Sequence, residues 1–181
     1  MPAFEYKSGE LHCEDVPLSK IAAEVGTPFY VYSRAEIERA YRAFDGALEG
    51  IPHRVCYAVK ACSTLGVLKV LIELGAGADI VSAGELFRWQ KAGGAANKVV
   101  FSGVGKSEDE MRLAITAGID MFNVESAEEM TALGAVARSL KTTVKVALRV
   151  NPDVDPQTHP YISTGLKQNK FGVGMAEAAP I

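Results

Sequence analysis

Lys60 closes a run that is otherwise apolar, Val55-Cys56-Tyr57-Ala58-Val59-Lys60. If that run is a strand of a parallel barrel, its C-terminal end lies on the face where such folds gather their chemistry. A lysine placed there is desolvated among other polar strand ends, which lowers its pKa and frees the amine to attack an aldehyde carbon. The position also suits a lysine that simply emerges into solvent. Two further charges sit in apolar runs: Asp79, before Ile80-Val81, and Arg149, in Val146-Ala147-Leu148-Arg149-Val150. A charge in such a setting has to be paired or put to use. For Arg149 the structural alternative is an ion pair with Asp79 or Glu85. Glu85 has a structural reading of its own as a helix-capping carboxylate three residues after Ser82, and a cap can also face a site.

The elements that must position these residues recur along the chain. Val55–Lys60, Asp79–Val81 with its flanks, Val99–Ser102, Met121–Val124 and Val144–Val150 read as β-strands. The first, third and fifth are apolar nearly throughout, as expected of parallel strands covered on both faces. Helical periodicity separates them, marked by Leu65, Leu68, Leu71 and Ile72, then Leu86, Phe87 and Trp89, then Met111, Leu113, Ala114 and Ile115. Ser82 with Glu85, Ser107 with Glu110 and Ser126 with Glu129 have capping-box spacing at the helix starts. Gly75, Gly93 and Gly118 fall where left-handed C-terminal caps belong. Repetition of this kind means a doubly wound sheet or a (β/α)8 barrel. No G-x-G-x-x-G follows the first strand, which favours the barrel.

A whole barrel takes about 250 residues, whereas this chain has 181 and supplies about five of eight βα units. The expected fold class is therefore α/β, a partial (β/α)8 barrel over residues 33–181. Phe29–Tyr32 reads as a further strand, and Arg34–Leu48 as an amphipathic helix with Ile37, Ala40, Tyr41 and Phe44 on one stripe.

Composition narrows the function classes. The apolar fraction of 48% supports a real core, and the net charge of −3 is interspersed, with no basic block. That removes any electrostatic case for nucleic acid or an anionic membrane as partner. No basic segment leads into an apolar run at the N-terminus, and no apolar stretch reaches membrane-spanning length. Cys13, Cys56 and Cys62 lack zinc spacing and read as free thiols of a cytoplasmic protein. No metal site is expected.

Six segments together resemble the alanine-racemase-like, group III pyridoxal-phosphate decarboxylases. Tyr57-Ala58-Val59-Lys60-Ala61 looks like the family's cofactor-lysine motif. Gly77–Glu85 (GADIVSAGE), Phe101–Ser107 (FSGVGKS), Phe122–Ser126 (FNVES) and Leu148–Pro152 (LRVNP) resemble its following strand ends, in order. His159–Lys167 (HPYISTGLK), followed by Asn169-Lys170-Phe171-Gly172, is similar to the branch acting on meso-2,6-diaminoheptanedioate. Any one of these motifs alone would be weak; the ordered set spans about residues 27–174.

The resemblance implies an alanine-racemase-like two-domain fold, with residues 1–32 joining a second, mostly β domain that lies beyond this chain. It implies a lyase of lysine biosynthesis, homodimeric when complete, that converts the small diamino diacid to L-lysine and CO2. Ornithine or arginine as substrate is the alternative, as is a non-catalytic cofactor-binding barrel. Lys60 would carry pyridoxal 5'-phosphate covalently, with Lys106 and Lys170 the next lysines to consider. Asp79, Glu85 and Arg149 match cofactor-region residues. His159, Tyr161, Ser163, Thr164 and Lys167 would belong to a substrate loop. The proline-punctuated stretch 153–170 is expected to cover the site, and His159 is not expected to be catalytic. The phosphate cradle, the acid opposite the ring nitrogen and the ring-stacking histidine are expected past Ile181, so this stretch alone is expected to be inactive.

Overall fold

A computed structural model describes residues 3–152, 154 and 171–178. The substrate-loop candidates His159, Tyr161, Ser163, Thr164 and Lys167, and the expected cover over 153–170, lie outside them apart from Val154. The chain opens with β1 (Phe4–Lys7), β2 (Glu10–Cys13) and β3 (Val16–Pro17), a small antiparallel sheet in sequence order. Helices α1 (Leu18–Val25) and α2 (Arg34–Gly46) follow. Ser33 caps α2 by accepting from the Glu36 N–H, and Ile37 and Tyr41 of that helix pack on Val67, Leu71 and Ala76. Ala40 and Phe44 of the expected stripe remain exposed. Phe29–Tyr32 is not a strand: no partner ladder reaches it among the described residues, and Tyr30 and Tyr32 stand exposed.

From there strand and helix alternate: β4 (Cys56–Ala58), α3 (Leu65–Glu73), β5 (Gly77–Ile80), α4 (Ala83–Lys91), β6 (Val99–Phe101), α5 (Glu108–Ala117), β7 (Met121–Val124), α6 (Ala127–Ser139) and β8 (Val146–Leu148). The five strands β4 to β8 form one parallel sheet in sequence order, the layout of a partial barrel. Beyond it, β9 (Val150–Asn151) pairs in parallel with β10 (Val173–Gly174), and α7 (Met175–Ala178) follows. β4, β6 and β8 are shorter than the apolar runs that announced them, whereas β7 keeps the bounds read from the sequence.

The core lies between the sheet and its helices. Ala78, Ile80, Val99, Phe101, Phe122 and Val124 from the strands meet Leu68, Leu86, Trp89, Met111 and Leu133 from the helices, all buried. Phe101 and Phe122 are register neighbours in adjacent strands and stack at 5.8 Å. Intervening residues Asp79, Val100 and Asn123 point the other way and are only half-buried. Coverage of both faces was the expectation; a sheet of five strands encloses only the helix side, so the inner face stays half open. Val146 and Ala147 are exposed for the related reason that β8 is the sheet's edge.

The helix ends follow the serine-glutamate pattern with one variation. Ser107 and Glu110 form a complete capping box. Ser82 and Ser126 accept from the N–H groups of Glu85 and Glu129, but those carboxylates reach one residue further back, to the N–H groups of Val81 and Glu125. Gly75, Gly93 and Gly118 have positive φ just past α3, α4 and α5. No helix among the described residues is long and apolar enough to cross a membrane.

Candidate active site

The C-terminal ends of β4 to β8 open on one cleft of ≈ 750 Å³. Lys60, Asp79, Ser102, Asn123, Glu125 and Arg149 line it, each contributed by a different strand end except the pair from β7 and its extension. Lys60 sits in a 3-10 turn, Val59–Ala61, immediately after β4. Val59 is fully buried in the helix-side core, so the next side chain departs toward the cleft. The Tyr57 hydroxyl donates to the Cys62 carbonyl at 3.3 Å and ties the two ends of that turn together. Lys60 is exposed rather than desolvated as the sequence led us to expect, because the inner face of the five-stranded sheet is open above it.

Asp79 lies on the inner face of β5 and belongs to a hydrogen-bonded row across three strands. The Ser102 hydroxyl donates to Asp79 Oδ1, and Asn123 Nδ2 donates to Ser102 Oγ at 3.0 Å. Because Ser102 has one proton to give, accepting from Asn123 leaves that proton directed at Asp79, which is thereby held as an acceptor. Glu85 stands behind the cleft wall: its carboxylate accepts from the N–H of Val81, a cleft residue, at 2.7 Å.

Arg149 pairs with neither Asp79 nor Glu85. Its Nη1 meets both carboxylate oxygens of Glu125, at 3.3 and 3.2 Å, and its guanidinium lies 4.9 Å from the Phe171 ring centroid. Glu125 follows β7 directly, one strand over, which the linear order of charges does not reveal. Its Oε1 also accepts from the Gly103 N–H at 3.0 Å. Lys106 is not an alternative amine for the cleft: its side chain is fully buried and in contact with Glu129 at 2.6 Å. Lys170 lies outside the described residues.

Ser102, Asn123 and Glu125 carried no assigned role in the sequence reading. The available signal was polarity at or just past the C-terminal end of a strand, repeated at β6 and β7.

Residues 34–181 match the family described as pyridoxal-dependent decarboxylase, pyridoxal binding domain. The chain belongs to this family. Every cleft residue named above falls within the matched region of the pyridoxal-dependent decarboxylases. Among curated relatives, diaminopimelate decarboxylase of Pseudomonas aeruginosa is 60% identical over 181 residues, covering 100% of this chain and 44% of the relative. That of Haemophilus influenzae is 52% identical over the same length and coverage. The chain thus spans about 44% of the length of these relatives. Among solved structures, diaminopimelate decarboxylase from Helicobacter pylori complexed with L-lysine superposes with a TM-score of 0.86 at 44% identity, over 90% of this chain and 41% of that one. The M. jannaschii enzyme in co-complex with L-lysine gives 0.85 at 38% identity, over 96% and 42%. A likeness to a viral arginine decarboxylase, at 21% identity and a TM-score of 0.68, reflects the shared fold alone.

Proposed function

We propose that this chain is the cofactor-binding barrel portion of a diaminopimelate decarboxylase, acting on meso-2,6-diaminoheptanedioate to release CO2 and form L-lysine. The observation that carries the reading is the cleft itself, where an accessible primary amine, a hydrogen-bonded carboxylate and a half-open guanidinium converge from successive strand ends. Relatives named for this activity over the full length of the chain, and solved relatives holding L-lysine, support the choice of substrate.

The residues present fit pyridoxal 5'-phosphate. Lys60 offers an amine that can reach an aldehyde, since its side chain is exposed at the cleft. When bound, the cofactor supplies an electron sink for the pair left at the substrate α-carbon as CO2 departs. Asp79, fixed by Ser102, presents an anionic acceptor to the cleft, and Arg149, anchored on one side by Glu125, presents a cation. Glu85 holds the Val81 wall through its backbone N–H. Lys60, which would hold the cofactor through its amine, would also be a base able to hold or return a proton at the substrate α-carbon. His159, Tyr161, Ser163, Thr164 and Lys167 are proposed to face the distal amino and carboxylate groups of the diacid. The reading also carries homodimeric assembly, a cytoplasmic location and docking of the N-terminal β1–β3 sheet on a second β-rich domain.

The test is a CO2-release assay on the full-length protein with added pyridoxal 5'-phosphate, offering meso-2,6-diaminoheptanedioate, ornithine and arginine in parallel. L-Lysine from the diamino diacid, with the other two turned over at least about 100-fold more slowly, is the expected result, since a site built to bond the distal carboxylate rejects analogues lacking it. Equal or preferential turnover of ornithine or arginine overturns the substrate assignment.

A further inference from the structure

A buried lysine outside the cleft is connected to the cleft's arginine by an unbroken series of polar contacts. Lys106 has a side chain with no exposed surface, yet all three of its N–H groups are satisfied. They reach the carbonyls of Gly103 at 2.6 Å and Asn123 at 2.8 Å, and Glu129 Oε1 at 2.6 Å. The other oxygen of Glu129 accepts from the backbone N–H of Glu125 at 3.0 Å. The Glu125 carboxylate in turn holds the Gly103 N–H and the Arg149 guanidinium. Gly103 is therefore gripped at both ends, its carbonyl by Lys106 and its N–H by Glu125. Glu125 is likewise fixed at its backbone by Glu129 and at its side chain by Gly103.

The series runs Lys106 positive, Glu129 negative, Glu125 negative, Arg149 positive, with the backbone N–H of Glu125 standing between the two carboxylates. Two acids offset two bases, so the cluster as a whole is neutral, which makes its burial tolerable. A simple structural pin would need only a carbonyl contact or a cap. Here every N–H of a buried ammonium is bonded, and the network leads to the carboxylate that holds Arg149. Glu125 is the one side chain that hydrogen-bonds Arg149 among the described residues, and with the Phe171 ring at 4.9 Å it sets the direction of the guanidinium in the cleft.

We infer that Lys106 and Glu129 are positioning residues, setting the orientation of the Arg149 guanidinium through Glu125 without touching the cleft contents themselves. The inference rests on the proposed cofactor-dependent function, in which Arg149 faces the bound cofactor. It predicts that loss of Lys106 acts on the site as loss of Arg149's fork geometry does, and that the two losses do not add.

A double-mutant cycle in the full-length protein tests this, using Lys106→Met, Arg149→Lys and the combination. Arg149→Lys keeps the charge but loses the planar fork. Two quantities are read: the dissociation constant for pyridoxal 5'-phosphate, by titration of its visible band, and kcat and KM for decarboxylation, with circular dichroism as the check on folding. Each single variant is expected to lower kcat by about 10–100-fold, the scale set by small displacements of a positioned group, and to weaken cofactor binding in parallel. In the Arg149→Lys background, Lys106→Met is expected to add less than about 2-fold, as residues of one hydrogen-bond network do. Full multiplication of the two effects means that Lys106 acts on the fold alone and overturns the inference. If Lys106→Met does not fold, Glu129→Gln replaces it; this change is isosteric and leaves every backbone contact possible, and the same cycle decides. If the unsubstituted protein itself neither binds the cofactor nor releases CO2, the proposed function fails, a result distinct from additivity in a working protein.

Discussion

Glu125 and Arg149 form an ion pair at 3.2 Å in which the acid is 2% exposed and the base 40% exposed. The asymmetry has a consequence for stability. Removing the base strands a buried carboxylate that retains one backbone N–H, whereas neutralising the acid leaves an arginine that can still be hydrated. Arg149→Gln should therefore cost about 1–3 kcal/mol, below the range for fully buried pairs because water already reaches one partner. Glu125→Gln should cost less than about 1 kcal/mol, since an amide oxygen still accepts from Gly103. Urea denaturation of the two variants checks the order; equal losses would show that the pair is solvated on both sides.

Lys60→Ala in the full-length protein should abolish the visible absorbance gained on adding pyridoxal 5'-phosphate and lower turnover by several orders of magnitude, the usual cost of losing a covalent attachment point. Among the described lysines, Lys106 cannot substitute, being wholly committed to Gly103, Asn123 and Glu129. Difference spectra of the variant at saturating cofactor supply the measurement. A retained band would move the attachment to another amine.

Asp120, at the opposite end of the sheet, accepts from Lys145 at 3.0 Å and from Arg54 at 2.6 Å, joining the chain before β4 to that before β8. Lys145 and then Arg54 hold its carboxyl below the usual carboxylate range. A folded-state pKa lower than the unfolded one, about 3.9, adds stability that is present above that value and fades as pH falls through the folded pKa. Asp120→Asn should thus lower stability at pH 7 by about 1 kcal/mol, given solvent-exposed partners. It should also flatten the decline in Tm below about pH 4. Thermal melts from pH 7 to pH 3 provide the check, and parallel curves for the two proteins would rule the bridge out as the source.

Gly172 has φ of 74° and stands against Arg149, the residue between β8 and β9; a Cβ there would lie 2.8 Å from the Arg149 carbonyl oxygen. Backbone cannot yield as a flexible side chain would, so Gly172→Ala should separate β10 from β9 and cost about 1–3 kcal/mol. The accompanying shift of Arg149 should weaken binding of pyridoxal 5'-phosphate. Gly84→Ala, where a Cβ meets only Ser82 Oγ at 3.7 Å, is the matched comparison and should leave both properties near those of the parent.

The sequence by itself determined the repeating strand-helix order, the serine-capped helix starts, the positive-φ glycines and the strand that delivers Lys60, because each depends on local periodicity and short-range hydrogen bonds. It also singled out Asp79 and Arg149 as charges needing partners. Which partners they have was decided by the tertiary structure alone. Ser102 reaches Asp79 across 23 positions and Glu125 reaches Arg149 across 24, and a strand register brings such residues together while composition and spacing leave them equivalent to many others. The exposure of Lys60 was settled in the same way, since it depends on how many strands close around the cleft rather than on the apolar run that precedes it. Lys106 makes the point most fully. Along the chain it is one more loop lysine before a capping serine; folded, it is a buried cation whose three bonds connect the loop after β6, β7 and α6.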